Sequence, residues 1–330
     1  SSAYRELLPY ILDPHGPGNR LSVRRDPGTR TARARKRAEG VFYTPADVAH
    51  YMLAACLHSV GGQEPVSVFD PACGTGVFLR AALAELRHRH PAQEVSRLAT
   101  ECLFGTDIDP WPLNAAAFVL FAETWAVGDV TSQAPVALWR RLRQNFACID
   151  TLHLDPVPTG GGRDSLPSAS PEGLLDARVP LSRLFPALAK GPLVIVGNPP
   201  YANLGQREDF TVLGSTFQTL AVKATPMAEI YLPFLEQMIR LTGSDRCAGA
   251  FVLPLSIGCN IGAQFAAART LISRTRGRWR FAFFDREPHA LFGEDVKTRN
   301  AIVLWSKDPA DRQTSIATGP LRKWRGDSRA

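Results

Sequence analysis

The chain has 330 residues, of which 45% are hydrophobic and 21% charged, and a formal net charge of +7. That length suits one large or two smaller α/β domains with a sizeable core, and its apolar runs are broken by charge or Pro, which excludes a readable membrane span. Six cysteines are scattered without a Cys-x-x-Cys pair, which argues for reduced thiols in the cytoplasm and against a zinc site, another metal centre or a disulfide framework.

The first residues carry no apolar signal-peptide core. Residues 1–40 read as a separate basic arm. Arg20, Arg24, Arg25, Arg30, Arg33, Arg35, Lys36 and Arg37 are opposed only by Asp26 across 20–37. Such a run is a solvated tail or a set of phosphate contacts. Gly40-Val41-Phe42-Tyr43-Thr44-Pro45 follows. Thr44 is placed to cap a helix that begins at Pro45, a residue suited to the first helical position.

A strand over 66–70 ends in Asp70 and leads into Pro71-Ala72-Cys73-Gly74-Thr75-Gly76, then a helix over 77–89. The glycines allow close approach of a ligand to a helix amino end. The third glycine of a dinucleotide motif is missing, and an acid at Asp70 suits a cationic amine better than a pyrophosphate. A second strand ends in Asp107-Ile108-Asp109-Pro110, and a carboxylate there is placed to accept both hydroxyls of a ribose. A third strand, 146–149, ends in Asp150. Singly, each carboxylate could be a helix cap. Three in register on one edge point to a ligand site.

The span 151–190 is rich in Pro, Gly and Ser and reads as an inserted loop. Leu193 to Val196 are apolar on both faces, as in a central parallel strand. The strand runs into Gly197-Asn198-Pro199-Pro200-Tyr201. Two prolines forbid ladder or helix, so the chain leaves the sheet in a stiff turn at its carboxyl edge, where open α/β sheets bind ligands. Residues 202–226 are polar and fit a loop over the substrate pocket. A helix over 227–241, a strand over 249–255, a helix over 261–273 and strands over 279–284 and 301–305 complete the pattern. Arg274, Arg276, Arg278 and Arg280 form a second basic cluster, expected to touch phosphates rather than bases.

Taken in order, Phe-Tyr-Thr-Pro, Asp-Pro-Ala-Cys-Gly-Thr-Gly, Asp-Ile-Asp-Pro and Asn-Pro-Pro-Tyr resemble the S-adenosylmethionine-dependent DNA adenine-N6 methyltransferases. The likeness is to those of the type I and fused type II restriction-modification kind, and it runs over 40–305. It implies a Rossmann-like class I methyltransferase fold, α/β, with a mostly parallel seven-stranded sheet and helices on both faces. The expected division is a basic arm at 1–40, a catalytic domain at 41–306 with the insertion at 151–190, and a basic tail at 307–330. S-adenosylmethionine is the implied cofactor. Thr44, Asp70, Gly74 and Gly76 would hold its methionine part, Asp107 its ribose, Ile108 its adenine ring and Asp150 the adenine amine, with Tyr43, Ala72 and Asn198 completing the set. Asn198, Pro199, Pro200 and Tyr201 would be catalytic. Tyr201 and Phe292 would stack on the extruded base. Double-stranded DNA is the implied partner, with a specificity or other defence-system subunit beside it, since 307–330 is too short for a target-recognition domain.

The chemistry follows from the residues too. An exocyclic purine amine is a poor nucleophile because its lone pair is delocalised. The Asn198 amide oxygen and the Pro199 carbonyl can accept its two hydrogens and turn the lone pair toward a methyl donor. A buried base cannot reach such a pocket, so it must leave the duplex. Cys73 sits in the cofactor turn with no His beside it and is not read as a nucleophile. A methyltransferase of RNA or of a protein glutamine amide would present a similar planar amine. A non-catalytic DNA-binding or cofactor-sensing subunit of a larger defence complex is a third reading.

Overall fold

The computed structural model describes residues 44–62, 64–127, 135–155, 178–189, 191–221, 228–242, 246–288, 290–292 and 298–323. The basic arm, Tyr43, most of the 151–190 insertion and residues 324–330 lie outside them. In chain order the main elements are α1 (Ala46–Val60), β1 (Ser67–Asp70), α2 (Val77–Arg89), α3 (Val95–Cys102), β2 (Leu103–Asp107), α4 (Pro110–Ala126), α5 (Pro135–Arg143) and β3 (Phe146–Cys148). After them come β4 (Leu193–Gly197), α6 (Tyr231–Leu241), β5 (Cys247–Pro254), α7 (Ala263–Arg274), β6 (Gly277–Phe284), β7 (Asn300–Lys307) and β8 (Thr314–Arg322).

The strands form one eight-stranded sheet in the order β8-β6-β7-β5-β4-β1-β2-β3. β1 to β5 are mutually parallel, and β7 is antiparallel to both β5 and β6. The central strands are apolar throughout: all five residues of β4 and the first seven of both β5 and β7 are buried. Alternate side chains serve two cores. Val194 and Val196 face the layer of α1 to α5, whereas Leu193 and Ile195 face that of α6 and α7. Helices therefore cover both faces, as parallel strands require.

The sheet departs from expectation at one edge. Seven strands were predicted and 307–330 was read as a tail, but β8 within that span pairs parallel to β6. Its residues beyond Thr314 are exposed, so no apolar run marked it as a strand. The start of α1 also differs. Pro45, not Thr44, occupies the capping position, no side chain caps the helix, and Thr44 is buried at 6% exposure.

β1 has β2 on one side and β4 on the other, so the chain winds away in opposite directions from the β1/β4 pair. Doubly wound sheets bind ligands at that switch point, beyond the carboxyl ends of the strands. Asp70 and Gly197 end the two strands there. A Cβ added at Gly197 would lie 2.9 Å from Asp70 Oδ1 and 3.4 Å from Pro71 Cδ. Gly197→Ala is therefore expected to cost about 1–3 kcal/mol, as overpacking in a buried site does. An unchanged midpoint in urea unfolding would show that the two strand ends are not this close.

Candidate active site at the sheet switch point

Asp70 closes β1 with no solvent exposure. The turn after it is stitched to the ends of β1 and β2. Ala72 N donates to Asp70 Oδ1 at 3.1 Å, Cys73 N to the Thr106 carbonyl at 2.9 Å, and Gly74 N to Asp107 Oδ2 at 2.8 Å. Gly74 and Gly76 have φ of 50° and 85°, in the left-handed region that favours glycine. Gly76 also precedes α2 directly, and a Cβ there would meet the Ala116 Cβ of α4 at 3.0 Å.

Asp107 closes β2, and its Oδ1 accepts from Asp109 N at 2.9 Å. Asp109 in turn caps α4 by accepting from Trp111 N at 2.9 Å. Between them Ile108 points outward at 68% exposure. Asp150 lies two residues past β3. Its Oδ1 accepts from Leu152 N at 2.9 Å and its Oδ2 from Arg207 Nη2. Parallel pairing of β1, β2 and β3 thus brings Asp70, Asp107 and Asp150 to one edge, as their positions after successive strands led one to expect.

The electrostatics of this edge are set by burial. Asp70 is pushed well above the ordinary carboxylate range, by desolvation first, against the Ala72 hydrogen bond and with help from Asp107. Its Oδ2 is buried and has no hydrogen-bond partner in the described structure. Asp107 is raised as well, again chiefly by burial. Burial and then the two acids push the Cys73 thiol up, which keeps it protonated and unfit as a nucleophile.

Asn198 follows β4 directly and is half-buried beside Pro199, which is buried. Tyr201 folds back over the next strands. Its hydroxyl donates to the Val252 carbonyl of β5 at 2.9 Å and accepts from Asn300 Nδ2 of β7 at 3.5 Å. Its ring meets Tyr231 edge-on, with centroids 6.0 Å apart. Phe292 is half-buried against the core on the α1 face, whereas Tyr201 packs against the core on the α6 face.

Several residues that fix this edge were not legible as such in the sequence. Thr151 Oγ1 donates to the Pro71 carbonyl and contacts Thr106 Oγ1 at 2.8 Å. Gln237 Nε2, from α6, donates to the carbonyls of Thr151 and Leu154 at 2.8 and 2.6 Å. Arg207 spans Asp150 and Asp209, and His153 Nε2 lies 2.7 Å from Asp209 Oδ2. The ligand-type atoms of Asp150, His153 and Asp209 lie within 4.8 Å of one another, and the cation among them is the Arg207 guanidinium. The Arg274 to Arg280 cluster, by contrast, is misplaced for a role here. β6 is antiparallel to β7, which is antiparallel to β5, so Gly277 and Arg278 lie at the amino edge of the sheet, away from Asn198.

A doubly wound sheet of this order, with a Gly turn after β1 and carboxylates closing β1 and β2, is the class I S-adenosylmethionine-dependent methyltransferase fold. Structural comparison agrees. The type ISP restriction-modification enzyme LlaBIII bound to DNA matches with a TM-score of 0.58 at 17% identity, over 86% of this chain and 20% of that one. DrdV in its DNA complex matches with 0.57 at 17%, over 87% and 28%. The methyltransferase subunit of a type I restriction-modification system from Streptococcus thermophilus matches with 0.50 at 16%, over 85% and 48%. Within that fold, the model of the N-6 DNA Methylase family matches residues 29–123. The adenine-specific methyltransferase PglX of Streptomyces coelicolor (strain ATCC BAA-471 / A3(2) / M145) is 22% identical over 237 residues, which is 66% of this chain and 19% of PglX. The family model spans three of the four motifs, and Asn-Pro-Pro-Tyr lies beyond it. The chain spans about a fifth of PglX and less than half of each of these three structures.

Asp70 generates a test of the burial argument. A folded carboxyl held above its unfolded value binds its proton more tightly in the native state, so stability falls as pH rises from the ordinary carboxylate range through the raised value. Asp70→Asn should remove that fall and gain about 1–3 kcal/mol above it, the scale of a buried unsatisfied polar group. Melting temperatures followed against pH check this. Parallel wild-type and variant curves would mean that Asp70 is solvated.

Proposed function

We propose that this chain transfers a methyl group from S-adenosylmethionine to the N6 amine of adenine in duplex DNA, as part of a restriction-modification or phage-defence system. The observation that carries the reading is the placement of Asn198-Pro199 directly after Gly197, which abuts Asp70, a buried acid that lacks a partner on one oxygen. The order of the motifs and the family match support it, as do the printed activity of PglX and the DNA-bound relatives of this fold.

The residues fit the cofactor on observable grounds. An ammonium group beside Asp70 Oδ2 would satisfy that bare buried oxygen and restore the ionised form. Gly74 and Gly76 present backbone without side chains at that turn, next to Ala72, and the resemblance adds Thr44 and Tyr43, of which Tyr43 lies outside the described residues. Asp107 retains lone pairs for ribose hydroxyls beyond its two backbone bonds. Exposed Ile108 offers an apolar face for the adenine ring, and Asp150 an acceptor for its amine. When bound, S-adenosylmethionine supplies an electrophilic methyl on a sulfonium.

The chain's own work is alignment. Asn198 Oδ1 and the Pro199 carbonyl accept the two N–H bonds of the target amine, so that its lone pair faces the donor. Pro199 and Pro200 hold these acceptors in a turn without backbone slack. Tyr201, fixed at its hydroxyl by Val252, gives a preset plane on which the extruded base stacks, and Phe292 is the second stacking candidate. No strong base is required, since preorganised dipoles provide the stabilisation. Residues elsewhere in a longer protein, or a specificity subunit, would select the DNA sequence.

The direct experiment is transfer of labelled methyl from S-adenosylmethionine to duplex DNA, followed by nucleoside analysis. N6-methyladenine is the expected product. Label in RNA or in a glutamine amide instead would move the assignment to another amine, and cofactor binding without transfer would mean a sensing subunit. Asn198→Ala should lower single-turnover transfer by about 10²–10³, the loss seen for one preorganised polar group, while cofactor affinity stays within a few-fold. Wild-type transfer in that variant would refute its catalytic role.

DNA affinity should fall with salt, with a log–log slope of roughly −0.9 per phosphate neutralised. Serine at the arginines of 20–37 is expected to flatten this slope. Serine at Arg276 and Arg278, on the far edge of the sheet, should leave it as it is. The reverse pattern would show that DNA approaches from the amino edge.

A further inference from the structure

We propose that Arg207 is a positioning residue that makes Asp150 a selective acceptor for the adenine amine of the cofactor, and so ties cofactor identity to the loop that follows Asn-Pro-Pro-Tyr. The inference rests on the cofactor reading above and adds a residue to it. Arg207 is not part of any of the four motifs, and its role is visible only from its contacts.

Arg207 forks onto Asp209, donating from Nε to Oδ1 at 2.8 Å and from Nη2 to Oδ2 at 2.6 Å. The same Nη2 donates to Asp150 Oδ2. Asp209 is held from the other side by His153 Nε2 at 2.7 Å. Side-chain exposure is 26% for Arg207, 13% for Asp150 and 20% for Asp209, so these charges meet in a partly desolvated setting where a planar guanidinium is strongest. Burial works against the charged guanidinium, but the two carboxylates outweigh it, and Arg207 holds Asp209 down to about 2.

The backbone that carries Arg207 is itself pinned. Leu204 N donates to the Ala228 carbonyl at 2.7 Å, and Ile230 N to the Ala202 carbonyl at 3.1 Å. Asn203 Oδ1 accepts from Gly205 N at 2.8 Å and from Ala228 N at 3.2 Å. A fixed loop therefore delivers a fixed fork to the end of β3. Asp150, with Leu152 N on one oxygen and Arg207 on the other, has its rotamer set, and both oxygens act as acceptors. Each oxygen keeps a further lone pair. Such a group accepts from a 6-amino purine and repels a 6-oxo purine, whose oxygen is also an acceptor.

The test uses calorimetry with two probes, S-adenosylhomocysteine and S-inosylhomocysteine, which differ at the 6-position. Wild type should prefer the adenosyl compound by roughly 10- to 150-fold, the range for a hydrogen bond to a charged group. Arg207→Met should weaken the adenosyl compound and leave the inosyl compound nearly unchanged, so that the ratio collapses to within roughly 3-fold. Equal weakening of both probes would show a merely structural loop contact and overturn the proposal, as would an unchanged ratio. If Arg207→Met does not fold, Arg207→Lys carries the test. One ammonium cannot fork across both acids, so the ratio should fall, and a wild-type ratio would overturn the proposal. Asp150→Asn separates this from the underlying reading. If Asp150→Asn leaves the ratio intact, Asp150 does not meet the adenine amine and its assigned place in the cofactor site fails, with the proposal for Arg207. If Asp150→Asn collapses the ratio and Arg207→Met does not, only the role of Arg207 fails.

Discussion

A carboxyl group sealed at the junction of β1 and β4 governs this structure. Asp70 is wholly buried, bonded on one oxygen and bare on the other. Such a group opposes folding when ionised. The surrounding chain is built to its shape: Gly197 ends β4 because a side chain there would press on Asp70 Oδ1. The Gly turn closes over it through backbone bonds to β2. Folded proteins keep a local cost of this kind where ligands act, and compensate elsewhere. Here the compensation is two apolar cores, one on each face of an all-buried set of strands.

Buried polar side chains transmit that order to the loops. Thr151 links the end of β1 to β2, and Gln237 reaches from α6 to hold both Thr151 and Leu154. The neighbouring Glu236 is buried and accepts from Gln218 N, Thr219 N and Thr219 Oγ1. One helix thus fixes two segments, the one after β3 and the one after Tyr201. A low dielectric strengthens each of these bonds, so the segments that follow β1, β3 and Tyr201 are tied to one another through α6. The alignment proposed for Asn198 would depend on such a framework, because an error of an ångström in a reacting group is costly.

The two sheet edges also divide the charge. The carboxylates and Asn198 share the carboxyl edge, whereas Arg276 and Arg278 sit toward the amino edge. A net charge of +7 thus says little about which surface meets a polyanion. Position along antiparallel β6 and β7 decides it.

The sequence by itself determined whatever adjacency can encode. Unbroken apolar runs gave the central strands, glycines gave the tight turn after Asp70, and two prolines gave the stiff exit after Asn198. Their order was enough for the fold class and for one edge bearing Asp70, Asp107, Asp150 and Asn198. Local chemistry misled at Thr44, a good capping residue that the structure buries while Pro45 takes the capping position, and it was silent on β8, whose exposed residues carry no apolar signal. The helices α3 and α5 were not read either, being short and lying between stronger signals. Only the tertiary structure decided that β1 lies beside β4, that Gly197 must be small, that the arginine cluster faces away, and that Arg207 meets Asp150 across 57 positions of sequence. These are contacts between distant segments, fixed by strand order and by which backbone groups burial leaves to be satisfied, and no local pattern carries that information.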